Sequence, residues 1–217
     1  MRPRRLLLGA ALAGLLACEA RPPPPPASPR PADRIASRDR LSVTRGDVAS
    51  GPDGRILVDA PTTRAVAKGG TGATAALRFT YLGTTARTDA LSSGEVRSQV
   101  GLKLLAEDGC NLLYVMWRAG ERGGVVVQTK RNRGKATSFE CGADGYRTLT
   151  SPTPRRSAPL EAGPHELRAR IDHGRLEVVA DGALVWEGDV SAAIEGLRGP
   201  AGLRTDNARI EGTFSTD

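Results

Sequence analysis

The chain has 217 residues, a formal net charge of +7, 26 Gly and 15 Pro, and only eight aromatic residues (three Phe, three Tyr, two Trp). That length sets one domain plus a tail, and the wealth of turn formers excludes a helical bundle in favour of a turn-rich β protein with a linker. Arg2, Arg4 and Arg5 lie in a leader expected to be removed, which takes the basic residues from 31 to 28 against 24 acidic ones, a mature charge near +4.

Residues 1–18 have a basic start, an apolar run from Leu6 to Ala17, and then Cys18. The run is too short to span a bilayer and fits a secretory signal. Leu15-Leu16-Ala17-Cys18 resembles the bacterial lipobox, whose cysteine is acylated and becomes the first mature residue; the alternative is an ordinary signal peptide with an incidental cysteine. The protein is therefore expected outside the cytoplasm, lipid-anchored to a bacterial membrane. With Glu19, not Asp, after the cysteine, the outer membrane is favoured if the cell is Gram-negative. Acyl chains supply the membrane affinity without a spanning segment. Residues 19–39 form a Pro-rich tether, with five consecutive prolines from Pro22 to Pro26 favouring extended polyproline II at about 3.1 Å per residue.

The folded domain is expected over 40–217. Leu41–Val43 and Arg55–Val58 are short strand candidates on either side of the turn Gly51-Pro-Asp-Gly54. Leu77, Phe79 and Tyr81 alternate with polar residues, as do Val96, Ser98, Val100, Leu102 and Leu104. Two runs, 111–118 (NLLYVMWR) and 123–128 (GGVVVQ), are apolar on both faces, which suits central strands or a second face roofed by a loop or ligand. Residues 131–164 read as a long excursion pinned at Cys141. Lipidation of Cys18 leaves Cys110 and Cys141 to form a disulfide in an oxidising compartment, worth roughly 3 to 4 kcal/mol in the chain-entropy model.

From His165 onward, Leu167, Ala169 and Ile171 alternate with charged residues, Asp172-His173-Gly174 turns the chain, and Leu176, Val178 and Ala180 continue to Asp181-Gly182. That dipeptide suits a two-residue type I′ hairpin. A weak helical turn at Ser191–Glu195 and the run GPAGLRTDNARIEGTF follow. The expectation is an all-β, two-sheet antiparallel jelly-roll sandwich of about ten to twelve strands.

The stretch from HELRARIDHGRLEVVADGALVWEGD to GPAGLRTDNARIEGTF resembles the C-terminal part of bacterial concanavalin A-like lectin/glucanase domains, a group that includes laminin-G-like and keto-disaccharide-hydrolase-like modules. The shared features are a strand, a DG hairpin, a second strand, a short helical turn, and G-x-x-G-L-R entering a last strand. The pattern covers about fifty residues and extends more loosely back to residue 40. It implies a concanavalin A-like sandwich, a fold that serves binders and enzymes alike.

Glucanases of that group carry three acids as E-x-D-x-E on one strand; this chain has none, and its acids are scattered. His165 and His173 sit near a turn with no Ser-His-Asp logic. The protein is read as no enzyme, with no cofactor and no metal: two histidines make no zinc site, and Asp206-Asn207 reads as a turn pair as readily as a calcium or sugar contact. The function read from these features is a non-catalytic lectin-like domain that binds carbohydrate or another envelope component. A structural or protein-interaction module is the alternative, and a glycoside-processing enzyme a distant one. Candidate ligand-binding residues are Trp186, Leu184, Tyr114, Trp117 and Arg118. With the type I′ turn, Ala180 faces Ala183 and Val178 faces Val185, which puts Val179, Leu184 and Trp186 on the face opposite Leu176, where a pyranose could stack on Trp186. Leu113, Val115 and Trp117 oppose Leu112, Tyr114 and Met116, and one set must point away from the core. The competing reading makes both tryptophans core residues. Lys130, Arg131, Arg133 and Lys135, with Arg155 and Arg156, form a basic cluster suited to an anionic envelope polymer or simply to a solvated loop. Nucleic acid is not an expected partner of an exported lipoprotein.

Overall fold

The computed structural model describes residues 34–153, 155 and 157–217. The leader, Cys18 and most of the tether lie outside the described residues, as does Arg156. In chain order the strands are β1 (Arg34–Ala36), β2 (Leu41–Arg45), β3 (Ala49–Ser50), β4 (Ile56–Val58), β5 (Thr62–Ala67), β6 (Thr74–Thr84), β7 (Gln99–Leu104), β8 (Leu112–Arg118) and β9 (Gly124–Lys130). After the one-turn helix α1 (Ser138–Cys141) come β10 (Tyr146–Leu149), β11 (Gly163–Asp172), β12 (Arg175–Ala180) and β13 (Ala183–Asp189). A second helical turn, α2 (Ser191–Ile194), leads to β14 (Gly202–Asp206) and β15 (Ala208–Thr216).

These strands form two antiparallel sheets packed as a concanavalin A-like jelly roll. One runs β13-β12-β11-β6-β15-β4-β3, with β1 also paired to β15; the other runs β10-β9-β8-β7-β14-β5-β2. The sandwich thus takes in residues 34–36, inside the stretch read as tether: Ala36 pairs with Phe214 and is buried. In the other direction, the alternation from Val96 becomes strand only at Gln99, and Val96 itself is exposed.

Alternation decides which side chains fill the space between the sheets. Val100, Leu102, Leu104, Leu113, Val115 and Trp117 point inward from one sheet against Leu77, Phe79, Leu167, Leu176, Val178 and Phe214 from the other. Each fully buried Leu or Phe contributes roughly 1.5–3 kcal/mol of transfer free energy. The two hairpins at the end of the first sheet use the dipeptides expected of them. His173 and Gly174 have φ of 47° and 78°, and Asp181 and Gly182 have the same values, so both pairs adopt the left-handed conformation that type I′ turns need.

The second hairpin departs from the unbulged register. Ala180 pairs with Ala183 and Val179 with Leu184, but Val178 pairs with Trp186, leaving Val185 as an extra residue. A bulge of one residue exchanges the faces of everything beyond it. Trp186 therefore lies in the core, 6% exposed, and not on the outer surface, while Leu184 is half-buried on the far side. Trp117 is also core, 3% exposed, and its indole nitrogen donates to the Ala158 carbonyl at 2.9 Å.

The excursion after β9 is fastened at several points. Cys110 and Cys141 form the disulfide, with Cα atoms 6.0 Å apart. Thr137 and Glu140 make a capping box at the start of α1. Asn111 accepts from the Asn132 amide at 2.9 Å and donates to the Lys135 carbonyl at 2.9 Å. The bridge spans 31 residues, so a Cys110→Ser/Cys141→Ser double variant is expected to lose about 3–4 kcal/mol. Calorimetry should then read a melting temperature lower by roughly 10 °C; an unchanged one would show that the bridge is not a structural fastening.

Candidate binding cleft

The outer face of the seven-stranded sheet carries the cleft. Successive rows across the strands set its floor. One row runs Arg118, Gln99, Asp206 and Thr62; the next runs Met116, Gly101, Arg204 and Arg64; a third holds Gln128, Tyr114 and Lys103. Ala106, Leu112, Tyr114 and Met116 form a small second apolar cluster here, with Val66 and Tyr146 against it. Thus the doubly apolar β8 has its second face roofed, as the sequence suggests.

Arg204 and Arg64 stand directly opposite each other, an arrangement that repels. Asp206 resolves it. Fully buried, it accepts from Arg64 Nη2 at 2.6 Å, from Arg204 Nε at 2.8 Å and from Gln99 Nε2 at 2.6 Å. Burial alone would raise its pKa, but the two guanidiniums and the Gln99 amide hold the carboxyl below its usual range. Arg204 pairs across the strands with Gly101, where a Cβ would lie 2.6 Å from Met116 Sδ. Its guanidinium sits 4.7 Å above the Tyr114 ring and donates to Tyr146 Oη at 2.9 Å. Tyr146 stacks on Tyr114 at 5.9 Å, and Lys130 lies 4.9 Å over the Tyr146 ring.

Burial pushes the Tyr114 phenol up to about 12. Lys103 is 4% exposed, and burial together with repulsion from Arg64 and Arg204 brings its ammonium down to about 7. The rim is built by residues 85–98 on one side and by the disulfide-pinned segment on the other, with Ser92, Glu95, Arg97, Ser138 and Gly142 among the lining residues of a cleft of about 320 Å³. Asn207 holds the first of these walls. Buried and left-handed (φ 49°), it accepts from the Asp89 amide at 2.8 Å and donates to the carbonyls of Asp89 and Arg97 at 2.9 and 3.0 Å.

Of the five candidate residues, Tyr114 and Arg118 line the cleft; Trp117, Trp186 and Leu184 do not. The expected basic cluster is kept only in part: Arg131, Arg133 and Lys135 line one shallow pocket beside Glu107, Asp108 and Glu195. Lys130 enters the cleft, Arg131 binds the carbonyls of Ala193 and Glu195, Lys135 pairs with Asp144, and Arg155 pairs with Glu187. Sequence reasoning passed over Arg64, Gln99, Tyr146 and Arg204. Nothing in G-L-R-T-D marks Arg204 out, since Leu203 and Thr205 alternate with Arg204 and Asp206 as on any wet strand face. Asp206 and Asn207 prove to be structural anchors. Among the described residues no group of three or more His, Cys, Asp or Glu could hold a metal ion.

No protein-family model and no curated protein matches the chain. Solved structures do. The carbohydrate-binding module CBM66 from Bacillus subtilis is similar with a TM-score of 0.55 at 15% identity, over 82% of this chain and 92% of its own. A tetrameric galectin from the sponge Cinachyrella sp. has a TM-score of 0.44 at 13% identity over 72% and 100% of the two chains. A Crh5 transglycosylase solved in complex with NAG has 0.39 at 18% identity over 82% and 64%. At these identities the likeness is one of fold.

Asp206→Asn should leave Arg64 and Arg204 sharing no counter-charge and cost roughly 3–5 kcal/mol at neutral pH. Because the folded carboxyl titrates below its unfolded value, its contribution is complete above about pH 4 and fades as pH falls further. Urea melts at pH 7 and pH 3 should therefore show the deficit of the variant shrinking in acid; an equal deficit at both would mean that Asp206 is not the titrating anchor.

Proposed function

We propose that this domain binds carbohydrate in the cleft and does not transform it. The observation that carries the reading is the convergence, on one concave wall, of the Tyr114–Tyr146 pair with fixed donors and acceptors from Arg64, Gln99, Arg118 and Arg204. Sugar recognition asks for directional hydrogen bonds from a preformed concave site, and the tyrosine pair, whose faces carry Arg204 and Lys130, holds those donors in place. The similarity to the carbohydrate-binding module CBM66 supports it. Two features favour binding over hydrolysis. The cleft carboxylates are Asp206, committed to two arginines, and Glu95, paired with Arg97. A hydrolase of the paired-carboxylate kind needs one carboxyl raised to act as acid, whereas Asp206 is lowered.

The domain is further proposed to work outside the cytoplasm, hung from a lipid on Cys18 by the Pro-rich tether. The Cys110–Cys141 bridge, which persists in oxidising compartments, supports this placement, as does the lipobox-like run before Cys18.

Tyr146→Ala should weaken oligosaccharide binding about tenfold or more in calorimetric titration while leaving the far-ultraviolet circular dichroism unchanged; wild-type affinity in a folded variant would refute the site. Radiolabelled palmitate should enter the full-length chain expressed in a bacterium and fail to enter Cys18→Ala. Labelling that survives the substitution would refute the anchor.

A further inference from the structure

Resting on the proposal that the cleft holds a sugar, we infer that the sugar is acidic: its ring carries a carboxylate or a sulfate ester alongside free hydroxyls. The lining holds six cations, Arg45, Arg64, Arg97, Arg118, Lys130 and Arg204, against Asp206 and Glu95. Asp206 is consumed by Arg64 and Arg204, and Glu95 by Arg97. Arg45, Arg118 and Lys130 form no ion pair among the described residues. Low-dielectric walls focus a field of one sign onto whatever enters, and an anion is the partner that this field stabilises.

A second, independent feature selects a sugar over a bare ion. Gln99, 2% exposed, has its amide nitrogen on Asp206 but its Oε1 buried without a partner; Arg118 Nε is likewise buried without a partner. The two residues are direct neighbours across β7 and β8. One orphan is an acceptor and the other a donor, and sugar hydroxyls, which both donate and accept, supply the partner each lacks. A deprotonated inorganic anion has no proton for Gln99. An anionic group elsewhere on the ligand can then meet the Arg118 guanidinium or, three rows further along the sheet, the Lys130 ammonium, the charge-assisted contacts that are strongest.

The test is calorimetric titration of the full chain with matched pairs that differ only in charge: oligogalacturonate and its methyl ester, oligomannuronate and its methyl ester, and a sulfated galactan and its desulfated form, with inorganic sulfate alone as a further arm. At least one acidic member should bind ten times or more tightly than its neutralised twin, with affinity falling as salt rises. Which pair responds separates carboxylate from sulfate. Arg118→Gln should cut that preference about tenfold, and Arg45→Gln, at an exposed rim position, should cut it several-fold even if the first variant does not fold. Equal affinity within every pair overturns this inference and leaves carbohydrate binding standing. Binding of inorganic sulfate with no sugar bound overturns both, as does binding of nothing.

Discussion

The cleft and the crossing between the two sheets depend on one buried carboxylate and the residue that follows it. Asp206 ends β14 in the seven-stranded sheet, and β15 begins at Ala208 in the other. Asn207 alone lies between them. Asp206 gathers Arg64, Arg204 and Gln99 from three neighbouring strands into one network, while Asn207 turns the chain across the sandwich and holds the segment from Asp89 to Arg97. Floor and rim are thereby fixed by adjacent residues. A shift of one would displace the other, so preorganisation of the site follows from the topology and needs no ligand to assemble it.

The chemistry of that floor runs against the usual economy of protein interiors. Buried cations are tolerated only with partners, and here one carboxylate serves two guanidiniums. The excess shows in Lys103, whose ammonium is brought down to about 7 by burial and by its two arginine neighbours. Aromatic faces take up part of the strain: Arg204 lies on Tyr114, and Lys130 on Tyr146. The far wall is stiffened covalently, since the disulfide and the Asn111 contacts keep the segment after β9 against the sheet.

Much of this architecture was legible in the amino-acid order because its causes are local. The two left-handed turns, the alternation of β6 and β11, the two-faced apolarity of β8 and the pairing of Cys110 with Cys141 all announce themselves within a few residues or by simple counting. The site was less legible for the opposite reason. Arg64, Gln99, Tyr114, Tyr146 and Arg204 come from five strands that meet only through long-range pairing, and no window along the chain contains two of them together. Trp186 shows a subtler limit. Its face is set by one unpaired residue, Val185, and alternation alone contains no marker for a bulge. Tyr114 was found because β8 is apolar on both sides, which forces one set of its side chains toward something other than the shared core.

The position of β15 has a consequence for how the molecule is made. It joins β6 along one side and both β4 and β1 along the other, yet a nascent chain yields 208–216 after every strand it must bind. Until then the sheet exists as two separated fragments, and the eleven residues of β6 offer an open hydrogen-bonding edge to any passing segment. Crowding of partly synthesised copies, more than unfolding of finished ones, is where this protein is exposed to mispairing.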